Sequence, residues 1–180
     1  QKIKQVIEKI NRSELMFLIN ALYFKGAWKY NFDSKDTRDA DFHLQNGQAV
    51  AVPFMQQQAT LGYAANDTAR MIALPYGSGN FSMYILLPMQ GQMPVEDLAA
   101  SLDQTGFNGL LNNIHPLACN LLLPKWKYAY AIEDMKPVLT SMGMGLAFTD
   151  DADFSAMYNV PAAISRVIHK TYIEVNEQGT

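Results

Sequence analysis

The sequence predicts an α+β fold made mainly of antiparallel strands with a few short helices. Three features lead there. Apolar or alternating runs at Leu15 to Phe24, Leu117 to Leu123 and Ile164 to Val175 read as strands. Asn46-Gly47 and Gly77-Ser78-Gly79 are turn signals between further strand-like stretches. Helical patterns are few and clustered, so strands come in blocks rather than in a regular strand–helix alternation. With 180 residues, 49% hydrophobic and 17% charged, the chain is expected to fold as one domain over 1–180 with a sizeable core.

Each element has its own signal. Ile3, Val6, Ile7 and Ile10 share one helical face, so a short amphipathic helix or turn opens the chain. Leu15 to Phe24 is almost wholly apolar, as in a central strand covered on both faces, and Asn20 within it calls for a buried partner. After the charged loop Asp33 to Asp41, strands are expected at Asp41 to Gln45, Ala49 to Thr60, Met71 to Pro75 and Phe81 to Pro88. Pro94 followed by Glu96, Asp97, Leu98 and Leu102 marks a helix start, and Thr105 to Leu111 a second short helix. The strand Leu117 to Leu123 could continue past Pro124 through Trp126 to Ala131. Glu133 to Met142 reads as a helix, with acids in its first turn and Gly143 and Gly145 near its end. In Ile164 to Val175, Val167, His169, Thr171, Ile173 and Val175 share one face, while Arg166, Lys170, Tyr172 and Glu174 share the other.

Composition excludes several functions. A net charge of −3 with scattered Lys and Arg leaves no basic stripe, so no nucleic-acid partner is expected. No apolar run approaches the ~20 residues of a membrane-spanning helix, so no membrane partner is expected. Cys119 is the single cysteine, sits in an apolar run and reads as a buried structural thiol. His43, His115 and His169 lack further ligands at metal spacing, and no nucleophile elbow or phosphate loop is present. Neither catalysis, a metal nor a cofactor is therefore expected. Asp150 to Asp153 reads as a solvated loop, most of the ten methionines as core filling, and His169 as a hydrogen-bonded core residue.

NALYFKGAW (Asn20 to Trp28) and VIHKTYIEVNEQGT (Val167 to Thr180) resemble signature segments of the serpins. DADFHL, AVPFMQQ, ARMIALPY, FSMYILLP, LLLPKWKYA, MKPVLTSMGMGLAF and DADFSAM follow in the family's order, so the resemblance spans the whole chain. It implies an incomplete serpin-like fold with mixed, mainly antiparallel sheets A, B and C. The chain begins after the family's first helices and first two sheet A strands and ends before the reactive loop. It is expected to be a fragment of a protein nearly twice its length, whose open strand edges invite self-association.

The resemblance also assigns residues. Asn20 and His169 match the "shutter" beneath the point where sheet A parts; the family's serine partners from an upstream helix are missing here. Trp28, Lys125 and Glu177 match the "breach" at the top of that sheet, although a Lys–Glu pair read alone is an exposed ion pair worth ~0 to 1 kcal/mol. Glu177, Gly179 and Thr180 match the proximal hinge. Glycine suits a pivot that must change its dihedrals, and a small uncharged Thr180 can enter a sheet, which favours an inhibitory member.

The implied function is suicide trapping of a serine protease, or a cysteine protease, by insertion of a cleaved loop into sheet A. The serpin itself would supply no catalytic residue. The alternatives are a non-inhibitory carrier or chaperone of the same fold, and a hydrolase with a spatially assembled site. The family implies an extracellular or periplasmic location, with an intracellular one as the alternative.

Overall fold

The structure is a computed structural model and describes residues 7, 9–12, 14–20, 24–89, 93–157 and 159–180. Along the chain run β1 (Met16–Asn20), β2 (Arg38–His43), β3 (Ala49–Ala65), β4 (Ala69–Tyr76), β5 (Phe81–Pro88), α1 (Val95–Ser101), α2 (Gln104–Asn112), β6 (His115–Pro124), β7 (Trp126–Ile132), α3 (Lys136–Leu139) and β8 (Ile164–Val175). This is the expected α+β architecture of strands with a few short helices, with two sheets formed by the described residues. The chain divides into two compact units, Gln1–Phe24 with Lys127–Glu174 and Lys25–Trp126 with Val175–Thr180.

In the first unit the strand order is β1-β8-β7. β1 and β8 are parallel, with Leu18 opposite Val167 and Asn20 opposite His169. The expected run Leu15 to Phe24 is a strand only over Met16–Asn20 among the described residues; 21–23 lie outside them. The expectation of cover on both faces fails here. Among the described residues β1 is an edge strand, and Leu18, Ile19 and Asn20 are exposed. Of the opening helical pattern, Ile3 and Val6 lie outside the described residues, and Ile10 is exposed and not helical.

β8 has the bounds read from sequence, but its burial does not alternate. Val167 and Ile168 point to opposite faces and both are buried. The charged residues on the Ile168 face are paired: Arg166 lies 3.5 Å from Glu14 and 3.7 Å from Glu133, and Lys170 lies 3.8 Å from Glu133. That explains a second departure. Glu133 and Asp134 do not form the first turn of the expected helix, which starts only at Lys136. Glu133 serves β8 instead, Asp134 Oδ1 accepts from the Lys136 amide at 3.0 Å, and Pro137 fixes the first turn. The helix widens over Thr140–Met144 and breaks at Gly143, whose φ of 97° suits glycine.

The second unit is a five-stranded sheet ordered β2-β3-β4-β5, with β6 also paired to β3. All of its pairings are antiparallel. β3 is the spine. Phe54 pairs with both Arg38 and Pro124, and Gly62 with both Ala73 and Pro116, so β6 takes one edge while β2 and β4 share the other. β2 begins three residues before the expected Asp41, and β3 runs five residues beyond the expected Thr60, because β4 and β6 pair with that extension. Past Pro124 the chain does not continue the same strand: β6 and β7 belong to different sheets.

α1 follows Pro94, and Asp103 caps α2 by accepting from the Gly106 amide at 2.7 Å. Both helices contribute to the core through Leu98 and Leu110, packed with Ala64, Ala69 and Met71. Met55 and Met71 fill the core as expected, whereas Met142 and Met157 are exposed. Cys119 is half-buried rather than buried, and its thiol lies 3.3 Å from the Leu117 carbonyl oxygen.

Candidate functional site

The residues matched to the breach and hinge come together inside the second unit. Chain reversal builds the centre. Asn176 and Gly179 exchange two backbone hydrogen bonds, at 3.0 and 3.2 Å, which leaves Glu177 and Gln178 at the tip of a tight turn. The Asn176 side chain steadies it by accepting from the Gln178 amide at 3.0 Å.

This turn is docked on the Gly26–Trp28 segment. The Thr180 amide donates to Gly26 O at 2.9 Å, the Gly26 amide to Thr180 O at 3.0 Å, and the Trp28 amide to Gln178 O at 3.0 Å. The other edge of the same segment pairs with the end of β4, through Lys29 N to Pro75 O and Gly77 N to Ala27 O, both at 2.8 Å. Gly26–Trp28 is thus a short middle strand between the turn and β4. The fit is close at Gly179, where φ is 150° and a Cβ would overlap the Gly26 carbonyl oxygen and lie 2.9 Å from Ala27 Cα.

Among the described residues Glu177 is the one charged residue that is buried, at 5% exposure. Its Oε1 accepts from Lys125 Nζ and from Thr37 Oγ1, each at 2.9 Å. Lys125 is held at the β6–β7 junction by its own amide, which donates to Pro53 O at 2.8 Å. Thr37 follows a 3-10 turn, Ser34–Asp36, capped by the Asp33 side chain. Burial pushes the Glu177 pKa up, but the Lys125 hydrogen bond, the residue's own amide, the Thr37 hydroxyl and the Lys125 charge together outweigh it. The carboxyl is held below its ordinary range. The exposed-pair reading therefore fails for Glu177: the anion is desolvated, and the pair is open to water only on the lysine side, whose side chain is 36% exposed.

Trp28 is 4% exposed. Its indole stacks on Tyr76 at 4.6 Å and 14°, meets Phe32 edge-on at 6.4 Å, and donates from Nε1 to Asn176 O at 2.8 Å. The Tyr76 hydroxyl lies 2.7 Å from Thr180 Oγ1. Burial raises the Tyr76 pKa, with the Thr180 hydrogen bond acting in the opposite direction. Thr37, Tyr76, Gly26 and Asn176 were not singled out from sequence. Nothing in the local pattern marks the first two, since Thr37 lies in a charged loop and Tyr76 lies just past the strand expected at Met71 to Pro75, which the structure extends to include it.

Asn20 and His169 are placed differently. They sit opposite each other in the β1–β8 register, but Asn20 is exposed and His169 half-buried. Among the described residues no side-chain hydrogen bond joins them, so the expected mutual satisfaction of a buried amide and imidazole is absent here. The described residues contain no group of three or more His, Cys, Asp or Glu suited to a metal ion, and no helix among them is long and apolar enough to cross a membrane.

The family model described as Serpin (serine protease inhibitor) matches residues 1–180. Serpin-ZXA of Oryza sativa subsp. japonica is 34% identical over 190 residues, covering 99% of this chain and 48% of the relative. Serpin-Z7 of Hordeum vulgare is 38% identical over 180 residues, covering 95% and 45%. The chain spans about half the length of the curated relatives it matches. Among solved structures, the thermophilic serpin tengpin in its native state superposes with a TM-score of 0.86 at 32% identity, over 98% of this chain and 46% of that one. Thyroxine-binding globulin shares the fold with a TM-score of 0.89 at 24% identity, over 99% and 49%. A family match along the whole chain, joined to the fold shared with tengpin, leads to one conclusion: the chain belongs to the serpin family.

Proposed function

We propose that this chain is the sheet-opening and hinge-bearing part of an inhibitory serpin that traps a serine protease. In this reading both compact units belong to one serpin-like domain, Gly179 and Thr180 with Glu177 form the proximal hinge, Trp28, Lys125 and Glu177 form the breach, and Asn20 and His169 form the shutter. The observation that carries the reading is the docked turn. Residues 178–180 run antiparallel to Gly26–Trp28, with an ion pair whose carboxylate is buried anchoring the turn's tip.

The chemistry belongs to the protease. Its serine Oγ forms an ester bond to a carbonyl carbon in the loop beyond the hinge, and the peptide C–N bond breaks as the new amine leaves. The freed strand then enters between β1 and β8 before water can hydrolyse the ester. The hinge's role is to start that entry, and Gly179 permits the dihedral change. The family's habits support an extracellular or periplasmic setting.

The test is a denaturing gel of the full-length protein after mixing with trypsin-like, chymotrypsin-like and elastase-like proteases. A band at the summed mass is the expected result and identifies the target class. Cleavage by all three without such a band would sink the inhibitory reading and leave a serpin-fold binding protein.

A further inference from the structure

The two ends of the 176–180 turn are tied to the two members of one stacked aromatic pair. Asn176 O accepts from Trp28 Nε1 at 2.8 Å, and Thr180 Oγ1 lies 2.7 Å from the Tyr76 hydroxyl. The pair itself is nearly coplanar and closely stacked, and both rings are buried. The backbone bonds between Thr180 and Gly26 can be made by any residue at position 180 except proline. The side-chain bond is different, because it needs a hydroxyl at 180 and a phenol at 76.

We propose that Tyr76 is a positioning residue of the trapping reaction, which together with Trp28 forms an aromatic clasp that holds Thr180 docked on Gly26 until the loop is cleaved. This deepens the proposed function and rests on it. The stack fixes the plane of the phenol, and with the ring at 8% exposure the bond between its hydroxyl and Thr180 is shielded from water. Either hydroxyl can donate. A docked Thr180 is the first rung of the inserted strand. Loosening it delays entry while deacylation proceeds at the protease's own rate, so more inhibitor is consumed as ordinary substrate.

The experiment uses the full-length protein with Tyr76→Phe, Thr180→Val and both together, read by amide exchange at Thr180 and Gly26 and by the stoichiometry of inhibition. Tyr76→Phe keeps the stack and removes only the hydroxyl. Each single variant is expected to speed exchange at these two amides about fivefold, the effect of one net hydrogen bond. The double variant should add nothing further, and Thr180→Ser should retain wild-type protection. The stoichiometry of inhibition should rise in parallel. Unchanged exchange at Thr180 in both single variants overturns the clasp. Faster exchange with unchanged stoichiometry in an active inhibitor overturns its positioning role. If the wild type forms no stable protease complex but exchange still responds, the clasp stands and the inhibitory reading falls. Should Tyr76→Phe fail to fold, Thr180→Val against Thr180→Ser carries the same test.

Discussion

Glu177 and Asn20 are polar residues matched to two control points of the same family, and their surroundings are opposite. Glu177 is an anion at 5% exposure with two donors on one oxygen, supplied by residues 52 and 140 positions away. Asn20 is a neutral amide in the open, facing His169 across a parallel register without a side-chain bond among the described residues. A buried carboxylate without partners is too costly to persist, whereas an exposed amide is satisfied by water. The second unit therefore contains, within itself, what its buried charge requires. The amide of the first unit makes no such demand.

Mutations can break this contrast, and the largest expected effect is at the turn. Gly179→Ala places a methyl group against the Gly26 carbonyl at a φ that suits glycine, for an expected loss of about 3–5 kcal/mol from backbone strain and overlap together. Urea denaturation of the 180-residue chain measures it, and a loss below about 1 kcal/mol would show that the turn undocks at little cost.

Next comes Lys125→Met, which leaves Glu177 buried with one fewer donor and is expected to cost about 1–3 kcal/mol. Glu177→Gln should cost less, since the amide oxygen still accepts from Thr37 and Lys125. Equal losses would mean that the charge, rather than the unmet acceptor, dominates.

The pH dependence sharpens the same point. Because the folded pKa of Glu177 is depressed, the stability it contributes is fully present above the unfolded carboxylate value of about 4.3 and is lost as pH falls through the lower folded value. Wild type and Glu177→Gln compared between pH 7 and pH 3 should converge at the acid end. A gap that stays constant would rule out this linkage. The smallest effect is expected for Asn20→Ala, within about 0.5 kcal/mol in the 180-residue chain. A loss beyond about 1 kcal/mol would reveal a partner for that amide outside the described residues.

What the sequence disclosed follows from what is local. β5 was legible at both ends because Gly79 and Pro88 punctuate it, and β8 because its β-branched residues alternate with long polar ones. The helix near Glu133 was misplaced because its acids look like first-turn residues until the cations of β8 are known to claim Glu133. Trp28, Lys125, Glu177, Gly179 and Thr180 were found through their likeness to family segments. Thr37 and Tyr76 were not, since a hydroxyl that meets its partner across 140 or 104 positions leaves no periodic trace.

The parallel pairing of β1 with β8 carries one more consequence. Met16 through Asn20 meet Ile164 through His169 by slanted hydrogen bonds, a geometry slightly weaker per residue than the perpendicular ladder of an antiparallel pair. A newcomer running opposite to both would trade one slanted ladder for two perpendicular ones. If the proposed insertion takes place, the relative orientation of these two neighbouring strands is what would let the sheet gain backbone bonding by it.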